Sequence, residues 1–442
     1  MVSLSSSSRA LLLVLLVSSP HGVLSSWVDP DTPVDAMTTA SLVDGRPYEL
    51  VFSDEFEVAG RTFDDGHDPR WTALHKNDYT NTALQFYDKG KVTTNNGWMN
   101  ITTTTEDTTF LAQDDKTLKY SKVKKNYKSG MVQGWNKFCF TGGIIEVRAK
   151  LPGVSHIGGL WPAIWLLGNL ARATYIGSST WMWPWSFDSC DLTLQPKQAI
   201  SKCAGQPHFG LNPHQGRGAP EMDILEAMPG AQALPPSSVG RPYFSTSLQI
   251  APGVSEVRPG AGGPPPPGTW YQGLEYGGNT SQNIFFYGTL NEHFAMGTSG
   301  KVQEKYTYQS DAVSANTQLD RDLWETFRTF RFEWQLPQTT DHGGGGGGAG
   351  GGGEGSSGGS DRLGYIRWYM DGVLVYGITG QSLNDKMKGS QIPTEPQYVL
   401  LNTAISSSWG FPSPCPGKRE RELKGACPPW AHTVPDTPPH TV

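Results

Sequence analysis

Three carboxylates, Glu221, Asp223 and Glu226, stand within six residues in the stretch GRGAPEMDILEAMPG (216–230), interleaved with Met222, Ile224 and Leu225. On a β-strand successive side chains alternate faces, so Glu221 and Asp223 share one face while Met222 and Ile224 share the other. Strict alternation would turn Glu226 to the apolar side. One extra residue, most simply Leu225 in a β-bulge, returns Glu226 to the acidic face, and bulges re-aim side chains next to active sites. Two Cα atoms four strand steps apart are separated by roughly 13 Å. With each glutamate reaching inward, the carboxyls end about 5–6 Å apart, near the roughly 5–5.5 Å at which one carboxylate attacks an anomeric carbon and the other shuttles the proton.

A helix is the competing reading. Pro220 before two acids suits a helix N-terminus. Glu221 would then lie roughly 140–200° from the other two acids, and Pro229-Gly230 would end the helix after two turns. This stretch alone does not separate the two readings. The elements around it do.

The chain has 442 residues, net charge −6, 17% charged residues, 53 Gly, 33 Pro and 15 Trp. Abundant Gly, Pro and aromatics without long helical patterns favour an all-β fold with long loops. Mild acidity without basic clusters argues against a nucleic-acid partner. Tryptophan richness suits a saccharide, whose apolar C–H faces stack on rings, although tryptophans also fill cores.

Strand patterns recur along the chain. YELVFSDEFE (48–57) reads as a strand ending in an acidic turn, and VTTNNGWMNITTTT (92–105) has strand composition. SGMVQGWNKFCFTGGIIEVRAKLPG (129–153) reads as two strands around Thr141-Gly142-Gly143, with Ile145, Val147 and Ala149 on one face. GLWPAIWLLGN (159–169) places Trp161 and Trp165 an even number apart, so both face one way as candidate sugar platforms. STSLQI (245–250), NIFFYGTL (283–290), FRFEWQL (330–336) and QYVLLNTAISSSWG (397–410) continue the pattern. YIRWYMDGVLVYGI (365–378) reads as a hairpin turning at Asp371-Gly372. Together these imply a two-sheet β-sandwich with the acidic strand on its concave face.

Residues 170–220 read as a long insertion without regular structure, rich in Trp and Pro (WMWPWSFDSC, 181–190), whose Trp183 and Trp185 are further candidate platforms. The Gly/Ser run at 342–360 reads as a flexible insertion. Residues 1–26, with the apolar run ALLLVLLV, read as a secretory signal or signal anchor, and 27–44 as a polar leader preceding a domain at 45–412. The reading therefore expects the secretory pathway, ending outside the cell or at the wall, or at a membrane if the signal is retained. Asn100 and Asn279 head N-glycosylation triplets. Of five cysteines, Cys190 with Cys203 and Cys415 with Cys427 are close enough to clip loops, leaving Cys139 free. No cofactor is expected, and a structural calcium is not readable from sequence.

The chain resembles glycoside hydrolase family 16, the laminarinase-like enzymes with a concanavalin-type jelly roll. EMDILE fits the family's bulged Glu-x-Asp-x-x-Glu motif, and SDEF, GGIIEVRAKLPG, GLWPAIWLLGN, FRTFRFEW, WYMDGVLVY and LLNTAISSSWG follow in the family's order. SGMVQGWNKFCFTGG, WPWSFDSCD and GRGAPEMDILE resemble more narrowly the β-glucan synthesis-associated branch of fungi, algae and oomycetes. The resemblance implies Glu221 as nucleophile, Glu226 as acid/base and Asp223 as hydrogen-bond partner of Glu221. It also implies a β-1,3/β-1,6-glucan substrate and hydrolysis or transglycosylation, with a non-catalytic glucan-binding scaffold as the alternative. Residues 413–442 read as irregular, without the apolar closing strand usual in the family, and suggest a truncated end.

Overall fold

Alternation of large apolar and polar side chains builds two facing antiparallel sheets. A computed structural model describes residues 27–113, 119–185, 198–202, 210–213, 215–231, 238–251, 273–283, 289–296, 302–338, 363–384 and 391–406. The signal segment, the Gly/Ser run, Trp409, the 413–442 tail, Cys190, Cys203, Cys415 and Cys427 lie outside them. Cys139 is described as a free, exposed thiol.

Among the described residues the larger sheet runs in the order Thr280–Gln282, Val302–Gln318, Tyr243–Ile250, Glu221–Met228, Leu160–Gly168, Gln397–Ile405, Met131–Gln133, Thr72–Ala73. The smaller sheet runs Gly143–Ala149, Arg328–Gln335, Tyr365–Met370, Val373–Thr379, Leu274–Tyr276. The acidic stretch is therefore a central strand, not a helix. Between the sheets lies one core. The larger sheet contributes Leu166, Met222, Ile224, Leu225, Phe244 and Leu248, and the smaller one Phe330, Phe332, Trp334, Ile366, Trp368 and Tyr376. Ile145, Val147 and Ala149 pack against it from the edge strand, on the face their alternation assigns.

Asp371 (φ 50°) and Gly372 (φ 79°) are both left-handed, as the two-residue turn between Tyr365–Met370 and Val373–Thr379 requires.

Several sequence expectations are corrected. In 48–57 only Pro47–Glu49 forms a strand. Beyond it Asp54 is drawn off by Arg61 (2.6 Å) and the Trp71 indole (2.9 Å) instead of joining a ladder. The 92–105 stretch is a tight hairpin, Val92–Asn95 with Trp98–Ile101, turning at Asn96-Gly97 with both residues left-handed. The strands on either side of Thr141-Gly142-Gly143 do not pair: Met131–Gln133 joins the larger sheet and Gly143–Ala149 the smaller. The 170–220 insertion is not irregular throughout. It holds the helix Ile176–Trp181 and a two-stranded ribbon, Ile200–Ser201 with Gly216–Arg217.

Residues 27–44, read as a leader outside the domain, are packed onto it. The strand Thr38–Ala40 pairs with Pro47–Glu49 and lies over the outer face of the smaller sheet. There Ser41 Oγ donates to Glu333 Oε2 (2.8 Å) and the Leu42 N–H to Glu333 Oε1 (2.8 Å). Arg331 completes the contact, pairing with Glu333 (2.8 Å) and Glu146 (3.2 Å) and donating to Thr39 Oγ1 (3.0 Å) and the Ala40 carbonyl. Arg331 and Glu333 alternate away from the core yet are 5% and 2% exposed, because this strap covers them.

Removing one partner of a buried pair leaves the other charge uncompensated, so Arg331→Met should lower unfolding free energy by about 3 kcal/mol or more. Ser41→Ala, which removes one of several hydrogen bonds, should cost about 1 kcal/mol. Urea denaturation of both variants checks this, and equal small losses would mean that the strap contributes little.

Candidate active site

The acids come together through a bulge. Against the Leu160–Gly168 strand, Ala163 opposes Glu226, Ile164 opposes Leu225 and Trp165 opposes Asp223, which leaves Ile224 without an opposite number. Against Tyr243–Ile250, Asp223 opposes Ser247 and Glu226 opposes Ser245, so Ile224 and Leu225 face Thr246 together. The extra residue is thus shared by Ile224 and Leu225 and is not Leu225 alone. Both are buried in the main core, at 2% and 1% exposure. Two consecutive side chains enter the core, and Glu226 returns to the face of Glu221 and Asp223. The Asp223 carbonyl, where the ladder breaks, accepts the indole N–H of Trp368 from the opposite sheet (2.9 Å). That bond satisfies a buried acceptor the bulge would otherwise strand.

The neighbouring strand supplies donors. Its alternation sends Phe244, Leu248 and Ile250 to the core, and Ser245, Ser247 and Gln249 lie opposite Glu226, Asp223 and Glu221. Gln249 Nε2 donates to Glu221 Oε1 (2.7 Å) and to Asp223 Oδ2 (2.9 Å), and Ser247 Oγ donates to Asp223 Oδ2. These residues escaped the sequence reading. The polar alternation of STSLQI is visible, but its pairing with the acidic strand is topology.

The tryptophans divide. Trp161 Nε1 donates to Glu226 Oε1 (3.0 Å) and Trp183 Nε1 to Glu221 Oε2 (2.9 Å), so each glutamate has one indole beside it. Trp165 donates to Asn402 Oδ1 (2.7 Å) and packs, half-buried, on an apolar floor with Leu167, Tyr398 and Leu400. Trp185 corrects the reading as a platform: it is 3% exposed and packed on Ala251. Gly218 fits closely against it, since a Cβ there would lie 2.2 Å from the Trp185 Cβ. The insertion is thereby seated at the start of the acidic strand.

Burial governs the electrostatics. Glu221 and Glu226 keep partial exposure, while Asp223 is 1% exposed. Burial first, then the charges of Asp223 and Glu226, push Glu221 well above the usual carboxylate range. Burial and the Asp223 charge do the same to Glu226, against the Trp161 bond. Burial raises Asp223 to about 6, with Ser247, Gln249 and Glu221 bonds holding it down. Glu221 and Asp223 share the Gln249 amide donor, and each charge affects the other's titration. Among the described residues three donor groups, Trp183, Gln249 and Ser247, reach that pair, against a single indole at Glu226. A negative charge on the pair is thus better solvated by donors than one on Glu226, while burial raises both glutamates. Such an arrangement can hold a nucleophilic carboxylate and a proton donor on one face at the same pH.

The family model for β-glucan synthesis-associated proteins SKN1/KRE6/Sbg1 matches residues 16–259. The chain belongs to this family. The SKN1/KRE6/Sbg1 relatives include KRE6 of Saccharomyces cerevisiae, 32% identical over 408 residues, covering 88% of this chain and 47% of that protein. SKN1 of Candida albicans is 30% identical over 413 residues, covering 88% of this chain and 46% of that protein. The chain spans about half the length of the curated relatives it matches. Among solved structures, an endo-β-1,3-glucanase from Pyrococcus furiosus overlaps at 17% identity with a TM-score of 0.42, covering 85% of this chain and 88% of that one. Nothing about the chemistry follows from that overlap.

A pH test follows from the Asp223 shift. Raised from 3.8 to about 6, Asp223 holds its proton more tightly folded than unfolded. Its contribution to stability is complete below about pH 4 and is lost as pH rises through about 6. Asp223→Asn cannot ionise, so its Tm should gain on the parent protein between pH 4 and 7. Calorimetric scans across that range check this, and a constant Tm difference would contradict it.

Proposed function

We propose that the protein is a retaining β-glucan-active glycosidase or transglycosylase. The observation that carries this reading is the bulge that sets Glu221 and Glu226 on one exposed-side face of a central strand, each beside its own indole donor. Glu221, with two donors and sharing Gln249 with Asp223, attacks the anomeric carbon and forms a glycosyl-enzyme. Glu226, kept protonated by burial and by the Asp223 charge, gives its proton to the departing oxygen. It then removes a proton from the acceptor as the intermediate breaks down. Asp223 and Gln249 act as positioning residues that hold the Glu221 rotamer.

Water as acceptor gives hydrolysis, and a sugar hydroxyl gives a new glycosidic bond through the same intermediate. The relatives' names speak of β-glucan synthesis, which favours transfer between glucan chains in wall assembly. Trp161 and Trp183 flank the reacting sugar in this reading, and Trp165 lies further along the floor. The secretory route belongs to the same proposal, since the substrate is a wall or storage glucan. In the alternative, a glucan-binding scaffold, the paired glutamates would serve only to contact sugar hydroxyls.

Glu221→Gln and Glu226→Gln should each lower cleavage or transfer on laminarin by several orders of magnitude while keeping the parent melting curve. Added azide should restore turnover at both, giving a β-glycosyl azide with the Glu226 variant and an α-glycosyl azide with the Glu221 variant. Near-parental activity in both variants would remove the catalytic reading and leave the scaffold.

A further inference from the structure

The apolar floor continues past the acids. Strand pairing carries one face from Asp223 through Trp165, Leu400 and Gln133 to Thr72. Trp183, Trp165, Leu400, Leu74 and Trp135 pack in one cluster along it. At its far end Thr72, Gln133 and Trp135 line a cavity of about 270 Å³ together with Lys76, Lys137, Arg172 and Tyr175. That is near the lower end of ordinary ligand pockets, about 300 Å³.

The charge at this end is unlike that at the acids. The Arg172 guanidinium lies 4.4 Å from the Trp135 ring centre and 4.0 Å from that of Tyr175, and Lys76 Nζ lies 3.5 Å from the Tyr175 ring centre. Aromatic faces hold cations in place without neutralising them. Lys76 donates to the Thr174 carbonyl and Lys137 to the Asp68 carbonyl, both uncharged oxygens. Arg172 donates to the Tyr175 hydroxyl (2.9 Å), while its buried Nε has no acceptor among the described residues. The nearby carboxylates are otherwise engaged or peripheral. Asp78, which attracts Lys76, accepts from Thr80 and Gln85. Asp88, 3.5 Å from His75, is paired with Lys128 at 3.1 Å, and Asp65 is exposed on the rim. Burial, with the Arg172 charge beside it, brings Lys76 down to about 8 against the pull of Asp78. An entering anion would relieve that repulsion and give the Arg172 guanidinium a charged partner.

We propose that this cavity binds an acidic substituent, a carboxylate, sulfate or phosphate, carried on a saccharide chain that lies along the groove. The proposal rests on the reading of the groove as a saccharide site. Arg172 is the principal contact and Lys76 and Lys137 assist it. The protein would then distinguish acidic from neutral chains at a position remote from the reacting bond.

The test titrates three probes into the Glu221→Gln protein, which does not turn substrate over. They are a neutral laminari-oligosaccharide, the same oligomer bearing one terminal sulfate, prepared separately for each end, and inorganic sulfate. One sulfated oligomer should bind about tenfold tighter than the neutral one, as one charge-assisted contact supplies. That preference should shrink in added salt, under competing inorganic sulfate, and in Arg172→Gln or Lys76→Met, with neutral-oligomer affinity unchanged. Two variants are used so that a melting-curve defect in one does not decide the outcome. Equal binding of neutral and both sulfated oligomers, or a preference undiminished in both variants, overturns the acidic site. Arg172-dependent binding of inorganic sulfate with no oligomer bound overturns its saccharide part, and with it the reading of the groove.

Discussion

A strand with a two-residue period cannot bring residues 221, 223 and 226 to one face. The protein meets this constraint by sending two neighbours, Ile224 and Leu225, into the core opposite a single residue, Thr246. Burying two large aliphatic side chains stabilises by roughly 3–6 kcal/mol in all, which opposes any return to regular pairing. Trp368 reaches from the facing sheet to the carbonyl freed at the break. The register of the acids thus depends on the hydrophobic core behind them. The core in turn depends on the opposite sheet, whose outer face is closed by the 38–42 strap over Arg331 and Glu333.

Three carboxylates crowded on one face, Asp223 fully buried among them, oppose folding. Raising Asp223 from 3.8 to about 6 corresponds to roughly 3 kcal/mol against its charged form, comparable to burying one large side chain. The sheet can hold this arrangement because its donors are asymmetric. Gln249, Ser247 and Trp183 gather at Glu221 and Asp223, and among the described residues only Trp161 reaches Glu226. Burial raises both glutamates, and the donors oppose that rise more at Glu221 than at Glu226; a two-carboxylate mechanism needs their protonation states to differ. The same floor then runs toward positive charge at Arg172 and Lys76, so its two ends differ in sign.

Much of the fold was legible because it is written in a period of two. Phe330, Phe332 and Trp334, Ile145 and Val147, and the Asp371-Gly372 turn all lie where alternation and turn chemistry place them. The bulge was legible as a need, since Glu226 had to return to the acids, but its shared position was not. That position depends on which residues two neighbouring strands skip. The Asn96-Gly97 turn carried a hairpin signal that a purely compositional reading of 92–105 overlooked. Other errors came from long-range partners. Trp185 reads like Trp183 in sequence, but Gly218 and Ala251 enclose it. Arg331 and Glu333, on the far side of their strand from Phe332, are buried only because the strap from residues 38–42 covers them. Gln249 and Ser247 could be named only once their strand was known to lie beside the acids.

The central claim is that Glu221 forms a covalent bond to the sugar while Glu226 handles the proton. The most direct measurement incubates the protein with a 2-deoxy-2-fluoro-laminaribiosyl fluoride, whose fluorine slows breakdown of the glycosyl-enzyme, and maps the adduct by peptide mass spectrometry. The expected result is one added glycosyl unit on Glu221, formed in the parent protein and absent from Glu221→Gln. An adduct on Glu226 or Asp223, or glucan binding with no adduct at all, would contradict the account.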